Sequence, residues 1–278
     1  MASLSEPVVP AVPDPAADQS SLRASWAIQR RVVWALVMRE VLTRYGRHNI
    51  GFMWLFVEPM MFTLGVTALW TATKSVHGSD LPIVAFAITG YSAVLLWRNM
   101  PARCIDAVEP NRSLLFHRNV RVIDIYFSRL LLEGAGATIS LIVLSVVFIA
   151  TGQMDPPEDI LQVIGGWLML AWFGCGLAMF LGAASERSET VHKLWHPVSY
   201  LLFPMSGAAF LLSVMPPEAQ AVLTWLPMIH GTEYLREGFF GSQITAIYDM
   251  GYMAICNVVL TVLGLAIIRV VSDSVIPE

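Results

Sequence analysis

Polar and apolar positions divide the chain into a polar start, one mixed stretch and six long apolar runs. Residues 1–22 mix small, acidic and proline residues, with Pro7, Pro10, Pro13 and Pro15. They carry no basic start and no apolar core, so a disordered tail is expected there and not a signal peptide. From 23 to 50 the pattern becomes amphipathic. Trp26, Ile28, Val32, Val33, Leu36, Val37, Val41 and Leu42 alternate with Arg23, Arg30, Arg31, Arg39, Arg44 and Arg47. The uncharged run between Arg31 and Arg39 is too short to cross a bilayer, which predicts a helix lying in the membrane interface.

The apolar runs fall near 51–73, 81–100, 130–151, 160–184, 195–214 and 250–270. Each approaches the roughly 20 residues that cross about 30 Å of hydrocarbon. They predict an all-α polytopic membrane protein with six transmembrane helices over 51–270 and a short tail at 271–278. Two stretches break the plain pattern. The link 101–129 is mixed in charge yet carries apolar pairs such as Leu114-Leu115. The stretch 216–249 alternates Val222, Leu223, Trp225, Leu226, Phe239 and Phe240 with Pro227, Gly231, Gly238, Glu233, Arg236 and Glu237. It is too broken to span and too apolar for a free loop. Short re-entrant or external helices fit, because backbone broken at membrane depth must be shielded by protein or face a watery cavity.

Composition fits this partition: 56% of residues are hydrophobic, 14% are charged and the mean hydropathy is +0.62, whereas soluble domains carry about a quarter charged residues. Charge placement adds an orientation. Fifteen of the 17 Lys and Arg, among them Arg98, Arg103, Arg112, Arg118, Arg121, Arg129, Arg187, Lys193 and Arg269, fall on one side of the six-run layout, and only Lys74 and Arg236 on the other. The positive-inside rule then places both termini in the cytoplasm. Cys104, Cys175 and Cys256 are an odd, scattered set and read as apolar packers.

No catalytic constellation appears and no Gly-x-x-x-x-Gly-Lys loop is present, so this chain does not hold ATP by that route. His192 and His196 have the spacing of a helical zinc pair, but Lys193 takes the place of the general-base Glu and Pro197 follows, so an interfacial belt with Trp195 is the better reading. Glu58 lies about two turns into the first run, where a carboxylate costs enough to need a partner. A side chain reaching the cytoplasmic interface or pairing with Arg39, Arg44 or Arg47 is expected, with a place on a substrate path as the other reading. Glu133 is similar. Glu233 and Arg236, three apart on a helix, can form an ion pair or stand at the outer mouth of a path. Trp54, Phe56, Phe62, Tyr91 and Trp97 crowd the first two runs, as interfacial anchors or as rings that stack on passing sugars. Gly174, Ala178 and Gly182 form a small-residue ladder, a helix contact face within or between subunits.

Three stretches together resemble a known family. They are Ala35 to Pro59, then Ala107-Val108-Glu109-Pro110-Asn111 through Phe116, Val120, Ile123-Asp124 and Arg129 to Leu132-Glu133, and Pro227-Met228-Ile229-His230 with Glu233, Arg236 and Glu237. The chain from about 30 to 270 resembles the ABC-2 type permease subunit of capsular polysaccharide exporters, related to O-antigen and teichoic acid export permeases. The resemblance implies a homodimer that works with two cytoplasmic ATPase subunits, with ATP and Mg held by the ATPases and no cofactor in this chain. Its substrate would be a lipid-linked polysaccharide crossing the bacterial inner membrane, without nucleic acid as a partner. A coupling helix would fall near Ala102 to Ser113, and Arg39, Arg44, Arg103, Asp106, Glu109, Asn111 and Arg112 would face the ATPase. Trp54, Phe56, Glu58, Phe62, Tyr91 and Trp97 would line the path, and His230, Glu233 and Arg236 would belong to the external helices. Export of O-antigen, teichoic acid or a small drug, an ATPase-independent channel or secondary transporter, and docking onto a periplasmic co-polymerase-type protein and an outer-membrane exporter all stay open at this point.

Overall fold

The computed structural model describes residues 22–45, 49–73, 81–116 and 120–275. The proline-rich tail and Arg47, Lys74 and Arg118 lie outside the described residues. The elements are α1 (Leu22–Tyr45), α2 (Asn49–Thr73), α3 (Ile83–Cys104), α4 (Val122–Ala150), α5 (Ile160–Ser185), α6 (Glu189–Leu202), α7 (Pro217–Leu223), α8 (Pro227–Phe240) and α9 (Met250–Val275), joined by short 3-10 turns. Among the described residues five helices, α2, α3, α4, α5 and α9, are long and apolar enough to cross a membrane.

Close approaches give their directions. Gly174 of α5 lies against Trp97 and Met100 of α3, and Gly182 against Cys104, so α3 and α5 run the same way. Gly176 meets Leu260 and Thr261, and Gly264 meets Met179, so α9 runs with them. Trp70 on Phe86 and Glu58 beside Arg103 set α2 against α3, and Arg129 beside Arg103 with Gly134 against Met100 does the same for α4. Three helices therefore run one way and two the other. The chain between α5 and α9 must climb back across the bundle.

That climb is the expected fifth span, and it is not one helix. α6 has 14 residues, about 21 Å at 1.5 Å per residue. A 3-10 turn at Pro204–Ser206 follows, then Gly207 at φ 77° and a second 3-10 turn at Leu212–Val214. Pro197 is tolerated inside α6, but Pro204 removes a backbone donor and Gly207 adopts a left-handed conformation that other residues reach only at a cost, so the helix ends there. From there α7 and α8 turn inward. α8 lies antiparallel to the start of α5, with Gly238 against Gln162 and Val163, Leu235 against Gly166 and Gly231 against Leu170. It is the expected re-entrant element, and all its residues except Pro227, Tyr234 and Glu237 are buried.

α3 is the central helix, buried continuously from Ala85 to Trp97. The core between α3, α4, α5 and α8 contains Trp97, Tyr126, Leu170 and Met228. The small-residue ladder of α5 serves this core. Gly174, Ala178 and Gly182 face inward, Ala178 at 0% exposure, so the ladder is a contact within one chain. A Cβ on Gly182 would stand 2.7 Å from the Tyr126 ring and 2.9 Å from the Cys104 carbonyl oxygen. Gly182→Leu is expected to force α3 and α5 apart at a cost of about 1–3 kcal/mol or more, read as a lower melting midpoint of the detergent-solubilised chain.

Candidate functional site

The end of the bundle that carries α1 and the last turns of α9 holds a charged network. Glu133 of α4 is its centre. The carboxylate accepts from Arg44 of α1 and lies 3.4 Å from Arg103 Nε of α3. Arg44 Nε also donates to Glu40 at 2.9 Å, and Glu40 stands 3.3 Å from Arg129 Nε. Arg129 donates to the Arg103 carbonyl at 2.6 Å, and Arg103 reaches Glu58 of α2 at 3.4 Å. Three carboxylates and three guanidinium groups thus tie four helices together. Sequence reasoning paired Glu58 with Arg39, Arg44 or Arg47, but it pairs with Arg103, because Arg44 is drawn to two carboxylates and Arg39 donates to Asn111 Oδ1. Arg44 was also expected to face an ATPase. Its side chain is only 13% exposed and serves the network instead.

The link after α3 is seated on this end. Asp106 turns the chain at φ 54° and a 3-10 helix follows over Glu109–Phe116, later and tighter than the helix expected near Ala102 to Ser113. Ala107, Val108, Asn111 and Leu115 face inward. Val108 N–H donates to Glu186 Oε1 at 3.1 Å, just past the end of α5. His192 of α6 lies 2.7 Å from Asp106 Oδ2, so His192 is a clamp on the link and not part of a zinc pair. Asn111 is held from both sides, accepting from Arg39 and donating to the Ala107 carbonyl at 2.8 Å. Burial pushes the Glu186 carboxyl above the usual carboxylate range, against the pull of the Val108 hydrogen bond. The outer side of the link is open. Glu109 is 74% exposed, Arg112 59% and Phe116 72%.

A second feature faces outward from α2, α3 and the end of α6. Tyr91 is its floor, with ring centroids 5.9 Å from Phe62, 5.3 Å from Trp70 and 5.6 Å from Phe203. Arg98 places its guanidinium 4.7 Å from the Tyr200 ring centroid. Phe62 and Tyr200 are exposed, and Trp54 stands two turns before Phe62 on α2. Of the six residues expected on the path, Phe62 and Tyr91 meet in this cluster. Phe56 packs instead toward Val37, Val41 and Leu132. Trp97 is fully buried against Phe173, so it is a core residue and lines no surface; sequence alone could not tell the outer face of α3 from the inner one.

The opposite end is organised by α8, and it differs from expectation. Arg236 is 0% exposed and donates to the carbonyls of Gly207, Ala208, Phe210 and Phe86, with its guanidinium 3.8 Å from the Phe86 ring centroid. Glu233 is equally buried and accepts from the backbone N–H of Leu212 at 3.1 Å and of Ile247 at 3.4 Å. His230 Nε2 meets the Thr224 carbonyl at 2.8 Å, and its Nδ1 accepts from Asp249 N–H. The three residues do not form the mouth of a path, and Glu233 and Arg236 form no ion pair with each other. Each instead satisfies backbone that the broken climb leaves outside any regular helix. Outside this group, Tyr248 donates to Glu237 at 2.6 Å, which pushes its phenol up to about 12.

These features define a polytopic, all-helical membrane protein: a bundle with a segmented climb, a short buried helix packed against α5, and an exposed charged link clamped to the helix ends. The chain belongs to the ABC-2 type transporter family, whose match covers residues 31–240. It is 43% identical over 260 residues to the capsule polysaccharide export inner-membrane protein CtrC of Neisseria meningitidis serogroup B, covering 94% of this chain and 98% of that one. It is 40% identical over 261 residues to the capsule polysaccharide export inner-membrane protein BexB of Haemophilus influenzae, with the same coverage. The polysialic acid transport protein KpsM of Escherichia coli is more distant, 26% identical over 247 residues. The chain is thus a multi-pass inner-membrane transport subunit and not itself an enzyme.

Proposed function

We propose that this chain is the permease subunit of an ATP-driven exporter that moves a lipid-linked capsular polysaccharide outward across the bacterial inner membrane. Two copies work with two ATPase subunits, which bind ATP and Mg. The end bearing α1, the link and the last turns of α9 faces the cytoplasm, in keeping with the sequence layout, which assigns fifteen of 17 Lys and Arg to one side of the apolar runs. An outer-membrane exporter, reached through a periplasmic co-polymerase-type protein, would take the polymer onward.

The observation that carries this reading is the link. Its exposed ridge of Glu109, Arg112 and Phe116 is clamped underneath to α1, α5 and α6. A force on the ridge therefore reaches α6, which borders the Phe62–Tyr91–Phe203 cluster. ATP can favour one arrangement of the permease only through differential affinity for its states, and the ridge offers the surface for it. The rings then give sugars a stacking wall as the path opens.

The ridge can be tested without disturbing its clamps. Glu109→Ala with Arg112→Ala removes two exposed side chains and leaves Asp106, Asn111 and Arg39 in place. Export should fall at least tenfold while the chain stays in the membrane at its normal level and the ATPase still hydrolyses ATP. Export unchanged in the double variant overturns the coupling role.

A further inference from the structure

We propose that each chain holds one anionic glycerophospholipid in a groove that runs from α1 down the outer face of α4. The groove has two joined parts. The first is a cavity of about 1050 Å³ between α1 and the start of α4, walled by Trp26, Trp34, Phe127 and Leu131. Its polar lining includes three exposed arginines, Arg30, Arg31 and Arg121. The acidic group there, Asp124, is already engaged: it accepts from Gln29 and from the Arg121 backbone N–H at 2.9 Å. The second part is a cavity of about 700 Å³ between α3, α4 and α5, almost wholly apolar, lined by Thr138, Ile142, Trp167 and Cys175 among others. Phe127 and Leu131 line both, so the two adjoin.

The shape and chemistry fit a phosphate head with a fatty chain. Arginine presents planar, weakly hydrated donors suited to a phosphate, and the two tryptophans stand where amphipathic rings mark the headgroup level. The hydrogen bonds in the deep part are internal, from Trp167 Nε1 to Thr138 Oγ1 at 2.9 Å and from Thr138 Oγ1 to the Gly134 carbonyl at 2.6 Å, so the wall offers a chain mainly apolar contact. From Phe127 to Ile142 is about 22 Å along α4, the reach of one long acyl chain. α1 packs against α4 through Val37, Val41 and Leu132, beyond this cavity, and leaves Trp26 70% and Trp34 63% exposed. A lipid here would mortar the surface helix to the bundle. The groove lies on α1 and α4, away from the aromatic cluster of α2, α3 and α6, so it is a resident site and not the export path.

The full chain, purified in detergent and stripped of lipid, provides the test. Vesicles or mixed micelles of dioleoyl phosphatidylglycerol should be retained at one molecule per chain by native mass spectrometry and should raise the melting midpoint. Dioleoyl phosphatidylcholine, and inorganic phosphate alone, should do neither. Arg30→Gln with Arg31→Gln and Arg121→Gln should weaken phosphatidylglycerol retention about tenfold. Ala135→Trp, which fills the groove below Leu131 and leaves every arginine in place, should abolish it. Equal retention of the two lipids, an equal response to phosphate alone, or undiminished phosphatidylglycerol retention in both variants would overturn the assignment.

Discussion

Glu133→Gln is expected to lower the stability of the solubilised chain by about 3 kcal/mol, the lower end of what removing one partner of a buried ion pair costs. For chains of this size, at roughly 2–4 °C per kcal/mol, that is on the order of 10 °C in melting midpoint. The reason lies in the geometry. Glu133 is 10% exposed and answers Arg44, itself 13% exposed, as well as Arg103. Without its charge, Arg44 keeps only Glu40, which already serves Arg129. Glu58→Gln is the matched control. Its side chain is 58% exposed, its partner among the described residues is Arg103 at 3.4 Å, and exposed pairs of that kind contribute little. A midpoint that falls as far for Glu58→Gln as for Glu133→Gln would show that Glu133 is not the centre of the network.

Arg236→Met is expected to cost more than about 4 kcal/mol, in the range reached only by a few named mechanisms, and to deplete folded protein from the membrane. The side chain satisfies carbonyls at Gly207, Ala208 and Phe210, where no regular helix supplies donors. Space for it is made by Gly90, where a Cβ would stand 2.4 Å from both the Ala208 oxygen and Arg236 Nη2. Arg236→Lys should also fail, because a single ammonium cannot replace a planar fork that reaches several carbonyls at once. Protease resistance and yield in membranes measure this directly. The outcome separates two roles: a residue on the path would leave folding intact and affect acidic polymers most, whereas the structure predicts loss with any substrate. Normal yield of Arg236→Met would refute the structural role.

The candidate site was only partly legible in the sequence. Asn111, Glu109 and Arg112 were correctly placed on a non-spanning link at one end, because charge between apolar runs has few places to go. The clamps under that link were not visible. Glu186 and His192 lie some 80 residues further on, and no spacing rule joins them to Val108 and Asp106. Glu133 reads in the sequence as a carboxylate near a membrane face, yet its partners Arg44 and Arg103 come from two other helices. The Glu233 and Arg236 spacing suggested a pair for a sound local reason, that three residues on a helix share a face. Unsatisfied backbone at Gly207–Leu212 and Ile247 claimed both side chains instead.

The sequence by itself determined the class and where the long apolar and the charged segments lie along the chain. These follow from hydrophobic length and from the cost of moving charge through hydrocarbon, which are additive along the chain and need no knowledge of neighbours. Tertiary structure decided which face of each helix is inside, that α3 is central, that the fifth crossing is segmented, and that Arg236 and Trp97 are buried while Phe62 and Tyr200 look outward. A helix that is apolar on every side carries no mark of which side its neighbours will take. That choice is made by close packing at glycines such as Gly174 and Gly182 and by polar groups that must find partners where water is absent.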